Sequence, residues 1–124
     1  SNGEFVVHLV DRSVADAMVK TAVPLAFGDS EIDNSGLSLT KSITVKVPRI
    51  TEAPAALECK EHSTVEIGGN RLVIGIIQRI HVHEEMMTPD DLRVDRENYH
   101  PIGRMASPDW YCSTEDQFKI PRPE

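Results

Sequence analysis

Aromatic residues make up only 5% of this 124-residue sequence, so any core has to be filled by valine, isoleucine, leucine and alanine. Positive charge is also short: 13 lysines and arginines stand against 20 acids, for a net charge of −7. Neither a nucleic acid nor an anionic membrane surface suits that balance, because both want a basic stripe. No window approaches about 18 consecutive apolar residues, and no charged-then-apolar leader opens the sequence, so neither a span nor a signal peptide is expected. The two cysteines, Cys59 and Cys112, are not spaced as a metal knuckle or a redox pair. Neither has an argued activating neighbour, so nucleophilic thiol chemistry is not expected. A reduced, cytoplasmic protein of one domain with a single modest core is the expectation.

What the sequence does have is one long two-stranded stretch, from Pro54 to His83. Gly68-Gly69-Asn70 marks a tight reversal, since these residues reach positive φ at little cost. After it, Leu72, Ile74, Ile76, Ile80 and Val82 fall on even positions, a period of two that predicts one buried strand face. Before it, the apolar set is Leu57, Cys59, Val65 and Ile67, with Glu58, Lys60, His62, Thr64 and Glu66 on the wetter side. Cys59 reads there as a small buried hydrophobe. Such a pair needs another sheet or a barrel wall to cover its dry face.

Around this hairpin the pattern is plainer. Phe5, Val6, Val7, Leu9 and Val10 predict a strand apolar on both faces, hence central in a sheet; a chain that opens on a central strand is expected to lack what precedes it. Asp11–Lys20 reads as a short helix capped by Asp11 or Ser13, with Val14, Ala17 and Met18 along its buried stripe. Residues 21–39 read as a long loop, and Lys41–Arg49 as a strand with Ile43, Val45 and Val47 on one face. Residues 84–124 lose periodicity and are expected to form an irregular tail, pinned to the body by Trp110, Tyr111 and Phe118.

Two imidazoles close the hairpin. His81 and His83 alternate on a strand, so their Cα atoms stand roughly 7 Å apart and the rings can share a metal. With Gly75 they spell Gly-x5-His-x-His, the opening of a cupin metal motif. The glutamate that a cupin places next is absent, Met87 and Thr88 standing there, and no second half of the motif follows. Polar residues on the wet end of a strand is the simpler reading. No glycine-rich loop is placed to cradle a phosphate, since Gly68-Gly69 belongs to the turn.

Several stretches in order resemble the flavin reductase-like domain, the FMN-binding split barrel. They are NGEFVVHLV, the Ala15-Asp16-Ala17-Met18 helix, Thr21-Ala-Val-Pro24, VPRITEAPAALECK, LVIGIIQRIHVHEE, Pro101-Ile-Gly-Arg104, Tyr111, Phe118 and the terminal Arg122-Pro123. The sequence departs at Met105-Ala106-Ser107-Pro108, where many relatives have glycines. It resembles roughly the C-terminal two thirds of such a domain; the strands before GEFVV are not in it.

The resemblance implies a mainly β protein, an antiparallel split barrel with one or two short helices, which dimerises and holds FMN near the subunit interface. It implies hydride transfer between NAD(P)H and flavin, chemistry the flavin ring carries without a protein acid or base. Carried residue by residue, it points to Thr21, Ala22 and Pro24 beside the ring, His81 at the end of the long strand, and Arg104 and Tyr111 in the tail folded across the pocket. The arginine suits a phosphate and the tyrosine suits stacking. Two alternatives stay open: a cofactor-free dimerisation module on the same barrel, and a cupin-like metalloprotein using His81 and His83.

Overall fold

The computed structural model describes residues 3–20, 36–90 and 93–123. Among these residues there are three antiparallel sheets and one α-helix. The largest sheet joins β1 (Glu4–Leu9), β4 (Ala55–Ile67) and β5 (Asn70–Val82) in the order β1-β4-β5; the short β2 (Leu39–Thr40) and β3 (Arg49–Ile50) pair with each other, as do β6 (Ile102–Ala106) and β7 (Trp110–Ser113). Helix α1 spans Arg12–Lys20, and a single 3-10 turn spans Glu84–Met86. Among the described residues no helix is long and apolar enough to cross a membrane.

The central hairpin forms where the alternation places it. Ile67 faces Asn70 across a turn at Gly68, whose φ of +59° is the left-handed conformation that glycine tolerates. Its faces, however, are not those that simple alternation predicts. Leu57 pairs with Ile80 but Cys59 with Ile77, and a second register shift follows between Glu61 and Ser63. Directly paired residues share a face, so Ile80 and Ile76 lie on opposite faces although both are even-numbered. Leu72, Ile74, Ile76 and Ile80 are 43–59% exposed, so the expected buried face is open in the single chain. A Cβ at Gly75 would overlap the Phe5 ring, which crosses the hairpin there.

The core sits at the base of the hairpin, around Val14, Val45, Ala53, Pro54, Ala55, Ala56 and Cys59. Cys59 is buried as expected, and both cysteines are free. The other strand expectations need correction. Among the described residues β1 has one neighbour, β4, and is an edge; β4 is the central strand. Residues 43–47 form bends rather than a strand, with Val45 buried and Ile43 61% exposed. The reason is local: carboxylates capture the amides a ladder would use, Glu58 taking those of Ile43 and Thr44, and Glu4 that of Lys46 at 2.9 Å.

α1 starts as the sequence predicts. Asp11 Oδ1 accepts from the Ser13 N–H at 3.0 Å and from its hydroxyl, and Val14 is buried. The expected irregular tail instead contains the β6–β7 hairpin. It is tied to the body by the Ile102 N–H donating to the Val10 carbonyl at 2.9 Å, and by an Asp11–Pro101 bridge. Trp110 and Phe118 are 67% and 83% exposed and do not anchor it.

Candidate functional site

Two concavities bring together side chains capable of holding a ligand. The larger, of about 770 Å³, lies between α1 and the β6–β7 hairpin. Its apolar wall includes Met18, Val19 and Ile102, its polar wall Arg12, Asp16, Arg104 and Asp109, and Trp110 and Tyr111 supply two rings. α1 lines it with Arg12, Ala15, Asp16, Met18 and Val19, and its first turn is capped by the buried Asp11.

Arg104 and Tyr111 are direct cross-strand partners on β6 and β7, so their side chains project from one face. The Arg104 guanidinium donates from Nη1 to the Tyr111 hydroxyl at 3.0 Å and from Nη2 to the Pro108 carbonyl at 2.9 Å. Its carbon lies 5.1 Å from the Tyr111 ring centroid, within cation–π range. The Ser107–Pro108 peptide bond in the connecting turn is cis. Two of five guanidinium N–H groups are thus occupied, and the remainder can reach an anionic or carbonyl oxygen.

His81 lies elsewhere. It lines a second concavity, of about 350 Å³, together with Arg49, Arg79 and His83. Its Nε2 bonds to Oε2 of Glu58, whose carboxylate also accepts from the Ile43 N–H at 3.0 Å, the Thr44 N–H at 2.6 Å and the Thr44 hydroxyl at 2.5 Å. Burial opposes charge on Glu58, but these donors, led by the Thr44 hydroxyl, outweigh it and hold the carboxyl far below the usual range. An ionised carboxylate only accepts, so His81 donates from Nε2. His83 Nε2 donates instead to the Thr51 carbonyl at 3.1 Å. Each imidazole therefore has its own protein partner, and the described residues contain no cluster of three metal-ligating side chains.

Of the six residues the family resemblance singles out, the structure brings Arg104 and Tyr111 together and sets His81 in a different concavity. Thr21, Ala22 and Pro24 lie outside the described residues. Three residues of these sites escape a reading by periodicity. Glu58 falls on the polar side of its strand yet is wholly closed to solvent. Arg49 sits in a stretch expected to be regular strand, and Trp110 was assigned an anchoring task it does not perform. The available signal was Glu58 itself, a carboxylate between Leu57 and Cys59, for which the hydroxyl and amides of the 43–44 segment supply the donors.

Comparison with known proteins agrees with this architecture. The chain spans little more than half the length of curated relatives it matches, as with an uncharacterised protein of Deinococcus radiodurans, 34% identical over 98% of this chain and 54% of its own. Among solved structures, the 2-nitrobenzoate 2-nitroreductase of Pseudomonas fluorescens is 36% identical with a TM-score of 0.87, covering 98% of this chain and 60% of that one. Component B of nitrilotriacetate monooxygenase from Bacillus cereus is 33% identical with a TM-score of 0.87, covering 96% and 60%. A split barrel protein of Shewanella frigidimarina, at 17% identity, shares the fold alone, with a TM-score of 0.83 over 99% of this chain and 62% of its own. The model of the flavin reductase like domain matches residues 1–103, and the chain, a mainly β antiparallel split barrel, belongs to that family.

Proposed function

We propose that this protein is a flavin-dependent oxidoreductase that binds FMN beside Arg104 and Tyr111 and passes hydride between NAD(P)H and the flavin. The observation that carries this reading is the concavity between α1 and the β6–β7 hairpin in a chain of the flavin reductase like family. At about 770 Å³ it is in the range of cofactor pockets. Its lining fits a fused aromatic ring with polar edges: Met18, Val19 and Ile102 offer apolar contact, and Arg104 offers donors.

Bound flavin accepts and returns hydride in its own ring system, so it supplies the redox chemistry itself. The chain's share is to bind and orient. Tyr111 holds the Arg104 fork in place from one side and the Pro108 carbonyl from the other, so the guanidinium is pre-set rather than ordered on binding. Thr21, Ala22 and Pro24 are assigned by resemblance to the loop beside the ring, and His81 to a supporting position at the end of β5. The proposed compartment is the cytoplasm, which the free thiols of Cys59 and Cys112 suit.

The reading includes a homodimer. Beyond Lys60, where pairing with β1 ends, the hairpin has no neighbouring strand among the described residues. Val65, Ile67, Leu72, Val73, Ile74, Ile76 and Ile77 are all exposed along it. An apolar, unpaired arm of this kind favours a second copy, with the flavin near the shared surface.

The test is anaerobic. The protein loaded with FMN is mixed with NADH or NADPH, and loss of the flavin's visible absorbance is followed. Bleaching by either nicotinamide supports the reading. A flavin that binds but is reduced by neither overturns the hydride-transfer part and leaves the cofactor-binding part standing.

A further inference from the structure

The concavity that contains His81 is built from basic side chains, in a chain whose net charge is −7. Arg49, Arg79, His81 and His83 line it with the hydroxyl-bearing Thr40 and Thr51, and among the described residues no aspartate or glutamate does. The two threonine hydroxyls are hydrogen-bonded to each other at 2.5 Å. Nη1 of Arg49 is shut off from solvent and has no hydrogen-bond partner among the described residues. Neither Arg49 nor Arg79 forms an ion pair among the described residues.

Exposed arginines are ordinarily satisfied by water, and Arg79 alone would mean nothing. Arg49 is different, because a buried donor is nearly always paired and an unpaired one calls for a missing acceptor. Neighbouring carboxylates do not provide it. Glu58 faces Arg79 across the strand pair but is engaged by Ile43, Thr44 and His81. Glu52 is held by Ser38 at 2.8 and 2.5 Å, and Glu85 lies 3.8 Å from His83 Nδ1. Two guanidinium groups outside any ion pair among the described residues, beside a threonine hydroxyl, match a phosphate, whose oxygens suit the guanidinium fork. About 350 Å³ leaves room for more than the phosphate itself.

We propose that this concavity binds the phosphate group of a small ligand, with Arg49 and Arg79 gripping its oxygens. The inference rests on these side chains and not on the flavin reading, whose concavity is the other one. The phosphate can belong to a flavin nucleotide, to a nicotinamide dinucleotide or to the free ion.

Calorimetric titration at constant ionic strength decides it, with inorganic phosphate as the first probe. Saturable binding is expected, weakened about tenfold or more in Arg79→Met and in Arg49→Met. Arg79 is exposed, so its replacement tests the site without threatening the fold. FMN binding that exceeds riboflavin binding, with the difference lost in Arg79→Met, identifies the flavin phosphate; competition of phosphate by NADPH identifies the nicotinamide; competition by neither identifies the free ion. Absence of saturable phosphate binding, or wild-type affinity in both variants, overturns the proposal. A protein that binds phosphate through these arginines but no flavin overturns the flavin reading alone. One that binds flavin but nothing through these arginines overturns this inference alone.

Discussion

His81 donates from Nε2 to the carboxylate of Glu58, a side chain with 0% exposure at the base of the central hairpin. Glu58 thereby joins three parts of the chain: its own strand β4, the end of β5 through His81, and the bends at 43–47 through Ile43 and Thr44. The segment that covers one face of the sheet is held by this carboxylate in place of a strand ladder. Each donor taken from a buried charge of this kind leaves it less compensated and the fold less stable.

Glu58→Ala should therefore lower unfolding free energy by about 3–5 kcal/mol, since it removes the one acceptor shared by His81, Ile43 and Thr44 and leaves a void where the buried carboxylate stood. His81→Ala removes one donor and should cost roughly 1–3 kcal/mol. Urea unfolding measures both. Wild-type midpoints in both variants would mean that the covering segment is held by other contacts.

Acid should destabilise the fold in two stages. The Ile50 N–H donates to His8 Nε2 at 2.8 Å, so the ring is neutral, and burial pushes its pKa below 6.5. A lowered folded pKa means that this contribution is present above 6.5 and is lost as pH falls below it. Glu58, whose carboxyl is lowered in the fold, contributes above 4.5 and loses that contribution as pH falls further. Melting temperature against pH should decline through both ranges, and His8→Gln should flatten the first. An unaltered first stage in that variant would assign it to another group.

Ile74 is 43% exposed on the hairpin arm, paired with Ser63 beyond the reach of β1. The proposed homodimer uses this arm, so Ile74→Lys should convert it to monomer in sedimentation at roughly micromolar concentration, because a charge in an apolar interface is desolvated without a partner. A dimer unchanged by the substitution would place the interface elsewhere.

Much of this architecture is legible in the sequence, and the exceptions have physical causes. Alternation on both sides of Gly68-Gly69 suffices for the hairpin, and Asp11-Arg12-Ser13-Val14 for the helix start. Alternation cannot reveal a β-bulge, and the register shift between Glu58 and Cys59 moves Ile76 and Ile77 to faces that counting by twos from Ile80 does not predict. The strand expected at Lys41–Arg49 fails because side-chain acceptors outcompete a ladder for its amides. The β6–β7 hairpin is hidden because Arg104, Met105, Trp110 and Tyr111 form a strand pair without a clear dry face. The pairing of Arg104 with Tyr111 follows from that hairpin, so resemblance could name both residues while periodicity could not join them.

The central claim is that flavin binds beside Arg104 and Tyr111, and a titration of FMN fluorescence with the protein tests it most directly. The account predicts saturable quenching with a dissociation constant in the micromolar range, about −8 kcal/mol. Arg104→Ala should weaken it about tenfold, equivalent to ~1.4 kcal/mol, while Tyr111→Phe, which keeps the ring and loses the acceptor, should weaken it about twofold. Quenching that does not saturate, or that is identical in wild type and Arg104→Ala, would contradict it.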